Sequence, residues 1–159
     1  MNRQTLPVKH LAIMIGDMKN RVKVQIEGSK VFTATIKLTV SDMNYGNHLG
    51  NDRVLALAQE ARLQWLSSID ASELNCKGAS LIMSDAMVEY KSEGFRQDTV
   101  EINVFLDNTH HYGFDLFYEM SINDKLMAKV KSGLLFFDYE TRKVASEPDQ
   151  WKQYYAQLV

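Results

Sequence analysis

The sequence is poor in cysteine and proline, with one of the former, Cys76, and two of the latter, Pro7 and Pro148. A single thiol excludes an internal disulfide framework and any metal site built from several cysteines. It fits a reducing, cytoplasmic setting, and such a thiol is more often a small core residue than a nucleophile. With the prolines near the ends, Val8 to Glu147 is free to form long elements with complete hydrogen-bond ladders. Charge of one sign is also scarce: 18 Lys and Arg against 20 Asp and Glu give a net charge of −2. That balance offers no electrostatic basis for general nucleic-acid binding. No run approaches the roughly 20 apolar residues of a membrane span. Leu11 to Ile15 is apolar but too short for the core of a secretion signal, and no small-residue cleavage site follows it. Met14 and Met18 are alternative starts, so residues 1–17 read as a loosely held extension.

Also missing are H-E-x-x-H, C-x-x-C, P-loop and dinucleotide fingerprints and the G-x-S-x-G elbow. His110 and His111 are adjacent at a strand end and face opposite sides, so they cannot share a metal ion. No metal and no organic cofactor is expected. Lys91 and Arg96 could meet a phosphate, although a solvated loop explains them equally well.

What is present is a chain of 159 residues, 45% hydrophobic and 24% charged, the profile of one folded domain. Ala34, Ile36, Leu38 and Val40 alternate with Thr33, Thr35, Lys37 and Thr39, which predicts a strand over 31–40. The run from Ser41 to Asp52 is dense in glycine and short polar residues and reads as a loop ending at a helix cap. From Arg53 to Ile69 the spacing is helical, with Val54, Leu57, Ala58, Ala61 and Trp65 in one stripe. Leu55, Ala56, Leu63, Leu66 and Ile69 add apolar surface elsewhere around it, which predicts a helix covered on most sides. Ser80–Tyr90, Thr99–Asp107, Tyr112–Ile122 and Leu126–Tyr139 are β-prone, with a tight turn at Asn123-Asp124-Lys125. These four strands are expected to pair as an antiparallel meander. A short helix from about Asp149 to Leu158 starts after Pro148. The fold class is therefore α+β, an antiparallel sheet wrapped around one long central helix, with an uncovered edge that invites a second copy. Boundaries fall at 1–30 for a lead-in, 31–142 for the domain and 143–159 for a helical tail.

Chemistry concentrates in the loop between strand and helix. The first amides of a helix lack intrahelical partners and sit at a positive dipole end, a place for an anion or for an oxyanion forming on a carbonyl. Asp42, Asn44 and His48 crowd toward that point: a carboxylate can activate water, an amide can hold it, and an imidazole can shuttle a proton. Turn formation and capping explain the same residues without chemistry, Asp52 above all. Glu60 sits among Ala56, Leu57, Ala61 and Leu63, where burial would demand a partner such as Arg62 or a raised pKa. It lies roughly 12–14 Å along the axis from the helix start. Cooperation with Asn44 would then run across a subunit interface. Met83, Met87, Phe114 and Phe117 could shape an apolar pocket.

The run Asp42-Met43-Asn44-Tyr45-Gly46-Asn47-His48-Leu49-Gly50-Asn51, followed by Glu60-Ala61-Arg62, resembles the hotdog-fold thioesterases of the 4-hydroxybenzoyl-CoA thioesterase-like superfamily. Their usual pattern is D-x-D-x-x-G-H-V-N-N, then E-A-R on the central helix with its glutamate twelve positions after the histidine, as Glu60 follows His48. Val88-Glu89-Tyr90 and Asp98-Thr99-Val100 are also similar to family positions. The resemblance implies hydrolysis of an acyl-CoA or acyl-carrier thioester by a dimer or dimer of dimers, with active sites where subunits meet. It further implies catalytic roles for Asp42, Asn44, His48 and Glu60, and substrate contacts at Gly50, Asn51 and Asp52. This chain departs from the pattern at Asn44, where many members carry the catalytic acid, at Asn47, an apparent insertion, and at Gly50. Its D-M-N start is closer to plant acyl-carrier thioesterases. A non-catalytic acyl-thioester-binding protein and a hotdog hydratase or dehydratase are the competing expectations.

Overall fold

The computed structural model of the chain describes residues 20–158. The expected extension over 1–17 and the Leu11–Ile15 run lie outside them. β1 spans Ser29–Lys37, α1 Asn51–Ser68, β2 Ser80–Tyr90, β3 Thr99–His110, β4 Gly113–Ile122, β5 Lys125–Asp138, β6 Lys143–Val144 and α2 Asp149–Tyr155.

All pairings are antiparallel, in the order β1-β3-β4-β5-β2 with β6 on β5. Three of the four later strands do form a meander, β3-β4-β5. The expected β2–β3 pairing does not occur, because β1 occupies the outer edge of β3 and leaves β2 the open edge of β5. The predicted β4–β5 turn forms: Asn123 and Asp124 have φ of 48° and 62°, the positive values that a tight two-residue hairpin requires.

Alternation along the strands puts one row of side chains against the helix. Val100, Ile102, Val104 and Leu106 of β3 are buried, as are Phe114, Leu116, Tyr118 and Met120 of β4. They pack with the α1 stripe of Val54, Leu57, Ala58, Ala61 and Trp65. Each large apolar side chain so buried contributes about 1.5–3 kcal/mol before entropy is counted. The tail joins the same core: Trp151 of α2 is fully buried and stacks on Phe114 at 4.2 Å between ring centroids, with Trp65 edge-on at 6.4 Å.

Two expectations change. The predicted strand over 31–40 ends at Lys37, and Val40 is exposed in a 3-10 turn, Val40–Asp42. Thr39 and Asp42 cap each other there and turn the chain away from the sheet. The helix, moreover, is covered on one side only. Leu55, Gln59, Glu60, Leu63 and Ser67 are exposed, since the sheet curls around one face of α1 and leaves the other open.

β2 is an edge strand with a bulge at Ser84, where its register to β5 slips by one between Met83 and Asp85. Asp85 reaches over β5 beside the bulge, and a Cβ on Gly133 would lie 2.2 Å from Asp85 Oδ2, so any other residue there would displace this carboxylate.

Candidate active site

The junction between β1 and α1 is held by one carboxylate. Asp42 Oδ2 accepts from Thr39 N–H at 2.7 Å and from the Thr39 hydroxyl at 2.8 Å. Its Oδ1 accepts from Arg53 Nη2 at 2.9 Å and Nε at 3.2 Å. Burial pushes this carboxyl up, but Thr39 and the Arg53 guanidinium outweigh it and hold Asp42 below the usual carboxylate range. Gly50 N–H donates to the Asp42 carbonyl at 2.9 Å, closing the loop on itself.

Inside this closure Asn44 and His48 come together. Asn44 N–H donates to the His48 carbonyl at 2.9 Å, Asn47 N–H to the Asn44 carbonyl at 3.0 Å, and Asn47 takes φ 61°. The result is a small hairpin braced by Leu49 N–H to the Gly94 carbonyl at 2.8 Å. Its tip, Tyr45 to Asn47, is exposed, whereas Asn44 and His48 are half-buried at its base. Asn44 Oδ1 accepts from Gly46 N–H at 2.8 Å, which leaves its NH2 group to donate. A Cβ on Gly46 would sit 3.1 Å from His48 Nε2 and 3.2 Å from Asn44 Oδ1, so the missing side chain is what lets the ring and the amide share this space.

His48 Nδ1 lies 3.1 Å from the Leu49 carbonyl. A carbonyl can only accept, so Nδ1 carries the proton and Nε2 presents a lone pair. Glu93 Oε1 stands 3.9 Å from Nε2.

At the helix start, Asp52 N–H is taken by Asn51 Oδ1 at 3.0 Å and Arg53 N–H by the Gly50 carbonyl at 3.0 Å. The Asn51 N–H has no partner among the described residues and is the amide left to face an incoming oxygen. The Tyr90 hydroxyl donates to the Asn51 carbonyl at 2.9 Å, tying the end of β2 to this point.

Glu60 is not with this group. It is exposed on the outer face of α1, where Gln64 Nε2 donates to it at 2.9 Å, and the burial expected for it does not occur. Nor does it pair with Arg62, which is buried and ion-paired with Glu73 at 2.6 Å. Phe114 is core rather than pocket lining, Lys91 is engaged by Glu89, and burial pushes the Cys76 thiol up to about 12, the state of an inert core cysteine. Among the described residues no group of His, Cys, Asp and Glu gathers as metal ligands, and no helix is long and apolar enough to cross a membrane.

The sequence reading missed a cavity of about 170 Å3 that begins one turn into α1. Leu55, Met83 and Val130 form apolar walls; Gln59, Arg62 and Ser132 are polar. Its polar floor continues inward, with Ser132 Oγ 3.1 Å from the buried Tyr118 hydroxyl. The signal was there: Ser132 is the one polar residue in the inward row Ala128, Val130, Leu134 and Phe136 of β5.

A family model described as the thioesterase-like superfamily matches residues 38–154, a span that contains the bend, α1, the sheet from β2 onward and all of α2 but its last residue. Among solved structures, the 1,4-dihydroxy-2-naphthoyl-CoA thioesterase from Synechocystis superimposes with a TM-score of 0.71 at 20% identity, covering 80% of this chain and 96% of that one. A gentisyl-coenzyme A thioesterase gives 0.69 at 14% identity, covering 76% and 99%. A Staphylococcus aureus protein in complex with CoA gives 0.73 at 16% identity, covering 85% and 87%. At these identities the likeness is one of fold. No curated protein matches the sequence.

The Asp42 clasp has a pH signature. Its folded pKa lies below the unfolded value of about 3.9, so its contribution is complete above that pH and is lost as pH falls through the folded value. Asp42→Asn is expected to destabilise the fold by about 2 kcal/mol at pH 7, in the range for hydrogen bonds to a charged group. The Tm gap between wild type and variant should then close as pH is lowered below about 4. A gap that stays constant down to that range would show that the carboxylate carries no such stability.

Proposed function

Because the chain belongs to the thioesterase-like superfamily, we propose that it hydrolyses an acyl-CoA-type thioester to a free acid and a thiol. The observation that carries this reading is the His48 tautomer. With Nδ1–H spent on the Leu49 carbonyl, Nε2 is free to accept a proton from water beside the Asn44 NH2 group, at the mouth of α1. In this mechanism the Asn51 N–H receives the thioester oxygen as it gains charge, aided by the helix dipole. Asn44 holds the water, His48 removes its proton, and Glu93 stabilises the imidazolium. The imidazolium returns a proton to the departing thiolate, a good leaving group that demands little help. Asp42, with both oxygens occupied, holds the bend and takes no part in proton transfer. Asn44 in place of the usual acid also fits a binding protein without turnover, and the same assay separates the two readings.

Thiol release from a panel of acyl-CoAs is the test. His48→Ala should lower kcat by about a hundredfold or more, the usual weight of a general base. Asn44→Ala should lose a comparable factor, while Glu60→Ala should change little unless a neighbouring subunit brings that carboxylate into the site. Activity that survives both His48→Ala and Asn44→Ala sinks this assignment, and acyl-CoA binding without thiol release favours the binding protein.

We further propose that two copies join through β2. Among the described residues its outer edge has no partner strand, Met83, Ala86 and Tyr90 are exposed along it, and the neighbouring helix face exposes Leu55 and Leu63. An unprotected apolar edge of this length is a template for a second strand. Light scattering should return at least twice the chain mass, and Ala86→Arg should shift it toward one chain. A wild-type mass of one chain at micromolar concentration would rule the pairing out.

A further inference from the structure

The polar floor of the cavity along α1 has a direction. Arg62 can only donate, and its Nε and Nη2 go to Glu73 Oε1 at 2.8 and 2.6 Å, so it offers the nearby Tyr118 no acceptor. Tyr118 is fully buried, so its own O–H needs an acceptor, and the neighbour available is Ser132 Oγ at 3.1 Å. If Ser132 donated instead, the tyrosine proton would be stranded in the core at a cost of about 1–3 kcal/mol. Donation therefore runs from Tyr118 to Ser132, and the Ser132 hydroxyl proton is left for the cavity that this residue lines.

Resting on the thioester-hydrolysis reading, we propose that Ser132 is a specificity residue whose hydroxyl selects acyl groups carrying a hydrogen-bond acceptor oxygen near their far end. The cavity begins at Leu55, one turn beyond the amide that receives the carbonyl, and reaches Arg62, roughly 10 Å farther along the axis. Its volume, about 170 Å3, matches a benzene-sized group and falls well short of a pocket for a whole ligand. The thioester end of the substrate thus stays at the helix mouth while a tail of about six heavy atoms enters. An acceptor oxygen on that tail meets a donor already oriented by the buried Tyr118 hydroxyl. A purely alkyl tail leaves that donor unanswered, which is how a buried polar group discriminates.

The measurement is kcat/KM for 5-oxohexanoyl-CoA and for hexanoyl-CoA, with wild type, Ser132→Ala and Tyr118→Phe, each checked for an intact thermal transition. Ser132→Ala should lower the oxo-to-plain ratio about tenfold, the value of one such hydrogen bond, as 5-oxohexanoyl-CoA loses its donor and hexanoyl-CoA no longer faces an unanswered one. Tyr118→Phe, which frees Ser132 to turn, should lower the ratio by a smaller factor. A ratio in Ser132→Ala within twofold of wild type, with hexanoyl-CoA still hydrolysed, overturns this inference and leaves the hydrolase reading standing. Absence of thiol release from a broad acyl-CoA panel takes down both.

Discussion

The structure turns on the carboxylate of Asp42. It links the 3-10 turn, through its cap Thr39 on one oxygen, to the first turn of α1, through Arg53 on the other. Without it the loop from Thr39 to Arg53 would keep its backbone hydrogen bonds but lose the side-chain tie to α1. With it, the Asn44–His48 hairpin closes against Gly94, and the His48 ring is brought beside the Asn44 amide at the mouth of α1. A buried acid that is fully hydrogen-bonded makes a good clamp and a poor nucleophile, and the proposed mechanism therefore gives proton transfer to His48.

The second constraint is the one-sided burial of α1. The sheet curls over the stripe from Val54 to Trp65, and the opposite face stays open beside the free edge of β2. That open side explains both the cavity along the helix and the apolar edge offered to a second copy. A helix enclosed all round would have been a sturdier core and would have left no place for an acyl tail. The buried Tyr118–Ser132 pair, with Arg62 beside it in the lining, then gives the cavity floor a polarity that the apolar walls lack.

Much of this was legible in the residues. Period-two alternation marked β3 because one face of that strand packs on α1 and the other does not. The turn at Asn123-Asp124 was legible because few residues tolerate two successive positive φ values. The helical stripe gave the buried face of α1, and the polar loop gave the bend. Strand order was not legible: nothing local in β2 says that it pairs with β5, since pairing is decided by which edges remain open once β1 has docked on β3. The exposure of Glu60 was hidden for a similar reason, because Leu55 and Leu63 make the helix look apolar all round while the sheet covers one side only. Glu93 and Ser132 were missed because each is unremarkable in sequence and acquires meaning from a neighbour far along the chain, His48 for one and Tyr118 for the other.

The most direct measurement is a crystal structure with a non-hydrolysable acyl-CoA analogue, in which a ketone replaces the thioester. The account requires the ketone oxygen within hydrogen-bond distance of the Asn51 N–H, with His48 Nε2 and the Asn44 amide on the same side and the acyl tail running toward Ser132. An analogue seated elsewhere, for instance in the open groove lined by Leu74, Phe137 and Tyr139 after the helix, would contradict it.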